Sequence, residues 1–137
     1  MKEYTNEALI SLALDARKNA HCPYSGIAVG AALLTATGEV FLGTNVENAA
    51  FSPSLCAERV AFGTAIAAGH KRLTRIAVVG AKKERTPNGF FPPCGVCRQM
   101  MAEFCDQNFE IVLWDGKEIR VLTFSALFPH GFDKEYL

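Results

Sequence analysis

Cys56-Ala57-Glu58 and, further along, Pro93-Cys94-Gly95-Val96-Cys97 decide the reading of this chain. Each stretch opens a helical pattern. Leu55 to Ala68 is rich in Ala and Leu-type residues and closes at Gly69, a common helix stop. Gln99 to Phe104 continues a second helix that begins near Cys94. Cys94 and Cys97 stand at i and i+3, so on one helical turn they point the same way. A helix N-terminus carries the positive end of the macrodipole, which favours thiolate over thiol. The span between Cys56 and Cys94 holds the rest of a helix, a strand and a loop, enough to bring the two helix starts together.

Three thiolates bind Zn2+ at ~2.3 Å each and leave a fourth tetrahedral position open to water, whose pKa the metal lowers towards ~7. Glu58 lies two residues after one of these cysteines. At a helix start that offset can place its carboxylate beside the open position without making it a ligand. General acid and base work by one carboxylate is the chemistry this placement suits.

Outward from these stretches, the chain alternates helical and extended patterns. Leu9, Leu12, Ala13, Ala16 and Ala20 follow helical spacing, and Pro23 and Gly26 end that helix. Val29 to Leu34 and Glu39 to Leu42 read as a hairpin turning at Gly38, and Gly43 to Pro53 as a polar loop. Ile76 to Gly80 is a short buried strand, followed by a proline-rich loop from Ala81 to Pro93. Ile111 to Trp114 and Ile119 to Leu122 read as strands joined by a tight turn at Asp115-Gly116, with a last short helix over Phe124 to Leu127. The pattern predicts an α/β fold, a mixed sheet with helices packed on its faces. Its 137 residues predict a single domain over residues 1–137.

Charge and composition narrow the partners. Fourteen basic residues balance fourteen acidic ones. A protein gripping a nucleic-acid backbone ordinarily carries a basic excess or stripe. The cluster Lys82, Lys83 and Arg85 is interrupted by Glu84 and reads as a solvated turn. A small molecule is the expected partner, with no nucleic acid and no membrane. No signal peptide or membrane-length apolar run is apparent, so the expected location is the cytoplasm, where the five cysteines stay reduced.

Each feature has a plainer reading beside it. Cys22 and Cys105 read as core residues, as free cysteines often are. A lone Cys-x-x-Cys is compatible with a redox pair, but a third cysteine and Glu58 argue against that here. A closed structural zinc site needs a fourth Cys or His, and none of His21, His70 or His130 lies at ligand spacing. Asn45 and Glu47 are open to reading as turn residues. Tyr24, Phe90 and Phe91 suit either core packing or a pocket wall.

Taken together, the two motifs resemble the cytidine deaminase family, whose zinc signature is His/Cys-x-Glu followed by Pro-Cys-x-x-Cys. The similarity extends through Pro23-Tyr24-Ser25, Val29-Gly30-Ala31-Ala32-Leu33, Asn45-Val46-Glu47-Asn48-Ala49-Ala50 and Pro129, nearly the whole chain. It is to the small homotetrameric branch with three cysteine ligands. This resemblance implies a three-layer α-β-α sandwich around a central five-stranded mixed sheet. It implies one Zn2+ per subunit held by Cys56, Cys94 and Cys97, with Glu58 as proton shuttle. It also implies hydrolysis of cytidine and deoxycytidine to uridine and deoxyuridine with release of ammonia, a step of pyrimidine salvage. Asn45 and Glu47 match positions that bind the sugar hydroxyls, and Ala57 one whose backbone meets the base. Arg59 matches an arginine that hydrogen-bonds the ligand sulfurs, where its charge offsets that of three thiolates. Phe132 matches a residue that reaches a neighbouring subunit's site.

One position departs from the family. Ile27 stands where an aromatic residue commonly stacks on the pyrimidine. This leaves modified substrates, such as N4-substituted cytidine or blasticidin S, as an alternative. A zinc-stabilised binding module without turnover is the alternative outside enzymes, and Glu58 argues against it.

Overall fold

The computed structural model describes residues 3–137. Helix α1 (Asn6–Arg17) is capped by the Thr5 hydroxyl, which accepts from the Ala8 backbone N–H. Strand β1 (Ile27–Thr35) follows and turns through Gly38 into β2 (Val40–Thr44). Then come α2 (Ala57–Ala67), β3 (Leu73–Lys82), α3 (Gly95–Phe104), β4 (Glu110–Trp114), β5 (Ile119–Thr123) and the short α4 (Phe124–Leu127). A 3-10 turn at Lys134–Tyr136 closes the chain.

The five strands form one sheet in the order β2-β1-β3-β4-β5. β3 and β4 are parallel, and the other three neighbouring pairs are antiparallel, so the sheet is mixed. β1 is buried along nearly its whole length, as a strand covered on both faces must be. Alternate residues point to opposite sides. Val29, Ala31 and Leu33 pack with Ala61, Phe62 and Met101 under α2 and α3. Ala32 and Leu34 pack with Leu9, Ile10 and Ala13 under α1. The result is the three-layer α-β-α sandwich with a five-stranded mixed sheet that the family resemblance implies.

The boundaries moved where pairing outweighs local pattern. β3 begins three residues before Ile76 and ends two after Gly80, because β1 pairs with it from Ile27↔Lys82 to Thr35↔Leu73. Gly43 and Thr44 belong to β2, opposite Ala31 and Gly30, rather than to the following loop. α2 starts at Ala57, not Leu55. The turn between β4 and β5 is tight, with Gly116 and Lys117 at its tip: the Asp115 backbone N–H donates to the Glu118 carbonyl, and the Asp115 carboxylate accepts from the backbone N–H groups of Lys117 and Glu118.

Two features set the site's position. Gly43 lets α2 lie directly on β2, since a Cβ there would collide with the Ala57 carbonyl oxygen and fall 2.7 Å from the Ala61 nitrogen. Arg17 ties α1 to the sheet by donating to the carbonyls of Ala28, Ala81, Lys82 and Arg85 at 2.6 to 3.1 Å.

Candidate active site

Cys56 and Cys94 occupy equivalent places, each the N-cap of its helix. N-cap side chains usually accept a hydrogen bond from the first turn. Neither cysteine does so, which leaves both sulfurs turned elsewhere. They meet Cys97 from the first turn of α3. Cys56 Sγ lies 3.7 Å from Cys94 Sγ, and Cys94 Sγ lies 3.8 Å from Cys97 Sγ. All three sulfurs are within 4.8 Å of one another.

This spacing provides a test of fit for zinc. Sulfurs at ~2.3 Å from a tetrahedral centre stand ~3.8 Å apart. The observed separations match, and three soft thiolates are the donor set that zinc favours. Among the described residues, no other group of His, Cys, Asp and Glu side chains is arranged to hold a metal. His21 and His130 are exposed, and His70 sits beside Glu39 and Phe41. None of the three closes the site with a fourth ligand.

Electrostatics single out Cys56. A hydrogen bond from Cys97 pulls its thiol down to about 5, with further help from Arg59 and Cys94. Cys97, as donor, is pushed up from the ordinary thiol range. The Arg59 guanidinium donates to the Ser54 carbonyl at 2.9 Å and stands 3.9 Å from Cys56 Sγ. The arginine is therefore where it offsets thiolate charge.

Glu58 is 3% exposed, in the first turn of α2. Burial pushes its carboxyl up to about 7; its own backbone N–H opposes the rise, and the Cys56 charge adds to it. Burying an ionised carboxylate is costly unless it is paired or hydrogen-bonded, so the buried group holds its proton more tightly. Around it opens a cavity of 480 Å3 whose walls include Ile27, Asn45, Glu47, Ala57, Glu58 and Cys94. Eight of the residues named from sequence, with Cys56 and Arg59 added to these six, thus meet in one chamber. A larger cavity of 590 Å3 lies under the C-terminal segment and contains none of the three clustered cysteines.

Asn45 and Glu47 are more than turn residues. Asn45 accepts from the Val29 N–H at 2.9 Å and donates to the Ile27 carbonyl at 2.8 Å. The Glu47 carboxylate accepts from the backbone N–H groups of Tyr24 and Ser25, both at 3.0 Å, and from the Ser25 hydroxyl. The same hydroxyl accepts from the Ile27 N–H. Together these bonds fix the segment that carries Ile27 to the cavity. Phe132 lies outside its own chain's cavity, 56% exposed and stacked on Tyr136.

Sequence reading had not singled out two residues by role. Ser25 anchors Glu47. Arg98 donates to the carbonyls of Pro93 and Leu127, holding the approach to Cys94 against α4. Ser25 lies inside a motif run and Arg98 directly follows one, but neither residue type has a local periodicity that marks its partner. The paired phenylalanines separate in role: Phe91 lines the cavity, whereas Phe90 packs beneath the Arg120 guanidinium at 4.1 Å. Cys22 is buried and Cys105 half-buried, as core residues are.

Fold and site together define an α/β domain with three cysteine sulfurs at zinc spacing near a buried carboxylate. The family model described as the cytidine and deoxycytidylate deaminase zinc-binding region matches residues 3–113. A cytidine deaminase of Sporosarcina psychrophila is 41% identical over 132 residues, spanning 96% of this chain and 93% of that protein. The crystal structure of cytidine deaminase from Burkholderia pseudomallei superposes with a TM-score of 0.86 at 43% identity, covering 94% of this chain and 100% of that one. A blasticidin-S deaminase of Bacillus cereus is 30% identical over 104 residues, 74% of each chain. The chain belongs to the cytidine and deoxycytidylate deaminase family, and its Cys56, Cys94 and Cys97 sulfurs lie close enough together to hold a metal ion.

Proposed function

We propose that this protein hydrolyses cytidine and deoxycytidine to uridine and deoxyuridine, releasing ammonia. The observation that carries the reading is the meeting of three sulfurs at tetrahedral zinc spacing with a buried Glu58 in one nucleoside-sized cavity. Zinc, when bound, supplies a Lewis acid that makes water a nucleophile near neutral pH.

The chain's own residues do the rest. Asn45 and Glu47 receive the sugar hydroxyls through an amide and a carboxylate, groups that between them both donate and accept. Ala57, fully buried at the head of α2, offers backbone groups to the base. Glu58 takes one proton from the attacking water and delivers it to the ring nitrogen, then takes the second from the hydroxyl so added to the ring and delivers it to the amine as the C–N bond breaks and the carbonyl forms. Arg59 steadies the Cys56 thiolate.

Higher identity to the cytidine deaminase than to the blasticidin-S deaminase favours the plain nucleoside over modified ones. A binding module without turnover has no use for a buried Glu58. Tetramer formation, with Phe132 reaching a neighbour's site, is part of the same reading, as is a cytoplasmic place in pyrimidine salvage. Among the described residues, no helix is long and apolar enough to cross a membrane.

The test is the absorbance change when zinc-loaded protein meets cytidine, with Glu58→Ala alongside. Uridine and ammonia from the native protein, and a zinc-loaded but inactive variant, are expected. Cytidine and deoxycytidine left untouched by the native zinc-loaded protein would overturn the reading.

A further inference from the structure

Val29 faces the cavity, and its cross-strand partner on β3 is Gly80. Paired residues share a face of the sheet. The surface around Val29 should therefore continue onto β3 as a side chain, yet position 80 has none. The gap is filled from elsewhere. A Cβ built on Gly80 would fall 2.8 to 3.0 Å from Cγ, Cδ1 and Cδ2 of Phe91. The Phe91 ring lies directly on the Gly80 backbone, in a place any larger residue would occupy. Phe91 also lines the cavity, half-buried, with Ile27 and Val29. The other aromatic residue in the cavity wall, Phe51, is 91% exposed and has no packed seat.

We infer that Phe91, seated on Gly80, is the aromatic wall that selects a flat heterocyclic base in this cavity. The inference rests on the nucleoside reading above and adds a specificity-determining residue to it. Ile27 supplies only aliphatic contact. An aromatic face recognises a planar π-system through stacking and discriminates against a puckered ring of similar size. The ring's orientation comes from the missing Cβ at position 80, so Gly80 acts as a positioning residue without touching substrate.

Uridine and 5,6-dihydrouridine separate stacking from shape, because they share a sugar and carbonyls but only uridine has a planar base. Both are to be measured as inhibitors of zinc-loaded native protein, Phe91→Leu, Phe91→Tyr and Gly80→Ala, along with kcat and KM for cytidine and the thermal midpoint. Phe91→Leu is expected to weaken uridine by about tenfold, with dihydrouridine nearly unchanged and KM for cytidine rising more than kcat falls. Phe91→Tyr keeps the ring and should restore the native pattern. Gly80→Ala displaces the ring and should reproduce the Phe91→Leu pattern, which keeps the test open if one variant folds poorly. Equal loss of both inhibitors, or no loss of either, overturns the role of Phe91. Native protein that neither converts cytidine nor binds uridine overturns the nucleoside reading and this inference with it. Native protein that does both, while Phe91→Leu matches it, overturns the inference alone.

Discussion

Ser25 grips Glu47 twice, donating to its carboxylate from both the backbone N–H and the hydroxyl. The hydroxyl also receives the Ile27 N–H, so one side chain links the Glu47 carboxylate to the strand that carries Ile27 to the cavity. A lost hydrogen bond of this kind costs about 1 kcal/mol. Ser25→Ala is therefore expected to raise KM for cytidine by about fivefold with little change in kcat. Ser25→Thr, which keeps the hydroxyl, should recover most of the loss. Steady-state kinetics on zinc-loaded protein decide it; a fall in kcat with KM unchanged would show that Ser25 does not act through binding.

Gly43 governs how closely α2 approaches the sheet. Gly43→Ala forces a methyl group into the Ala57 carbonyl and the Ala61 nitrogen, neither of which is a flexible side-chain end. Overpacking of this sort costs about 1–3 kcal/mol. The variant should lose that much stability in urea unfolding and, because α2 carries Cys56 and Glu58, should also bind zinc more weakly. Native-like stability and zinc content together would refute the close-packing account.

Zinc binds the folded cluster far better than the unfolded chain, so it should stabilise by mass action. At free zinc about a hundred times Kd the gain is about 2.7 kcal/mol, less any binding to unfolded cysteines. Thermal scans with zinc and with chelator should separate clearly for native protein. In Cys97→Ser, with a buried ligand replaced, the two scans should nearly coincide.

Arg17 donates four hydrogen bonds to carbonyls on three separate segments. Its side chain is only partly buried, which reduces their worth, and Arg17→Ala should cost about 2–3 kcal/mol. Arg17→Lys should recover little, because an ammonium lacks the planar fork that reaches several acceptors at once. Urea midpoints measure both, and turnover of the folded fraction should stay native.

Asp115 bears on stability in acid. Backbone N–H groups of Glu118 and Lys117 hold its carboxyl below the usual range. As pH falls, the unfolded chain binds that proton before the folded one does. The contribution is thus complete above the ordinary aspartate pKa of ~3.9 and is lost as pH drops through the lower folded value. Asp115→Asn should show a shallower fall in thermal midpoint across this acid window than native protein. Identical acid limbs would rule out the contribution.

Much of the site was readable in sequence because its residues announce themselves locally. Cys94 and Cys97 share a helical turn by spacing alone, and Glu58 follows Cys56 by a fixed offset. Strand ends were less readable. Thr74 and Arg75 break the apolar run that marks β3, yet Arg75 pairs with Leu34 and its guanidinium reaches the Tyr4 carbonyl and Asn6. The short helix over Phe124 to Leu127 was readable to its ends, since the Thr123 hydroxyl caps it.

The sequence by itself determined the alternation of helices and strands, the family, and the three cysteines and the glutamate placed at two helix starts. These depend on residue type and on spacings of a few positions, which local backbone geometry converts directly into direction. Tertiary structure alone decided which distant residues touch. It placed Ser25 against Glu47, Arg98 between Pro93 and Leu127, and Phe91 on the bare backbone of Gly80. Such contacts arise from the packing of separate elements, and no periodicity along the chain encodes an empty Cβ position on one strand as the seat of a ring from a distant loop.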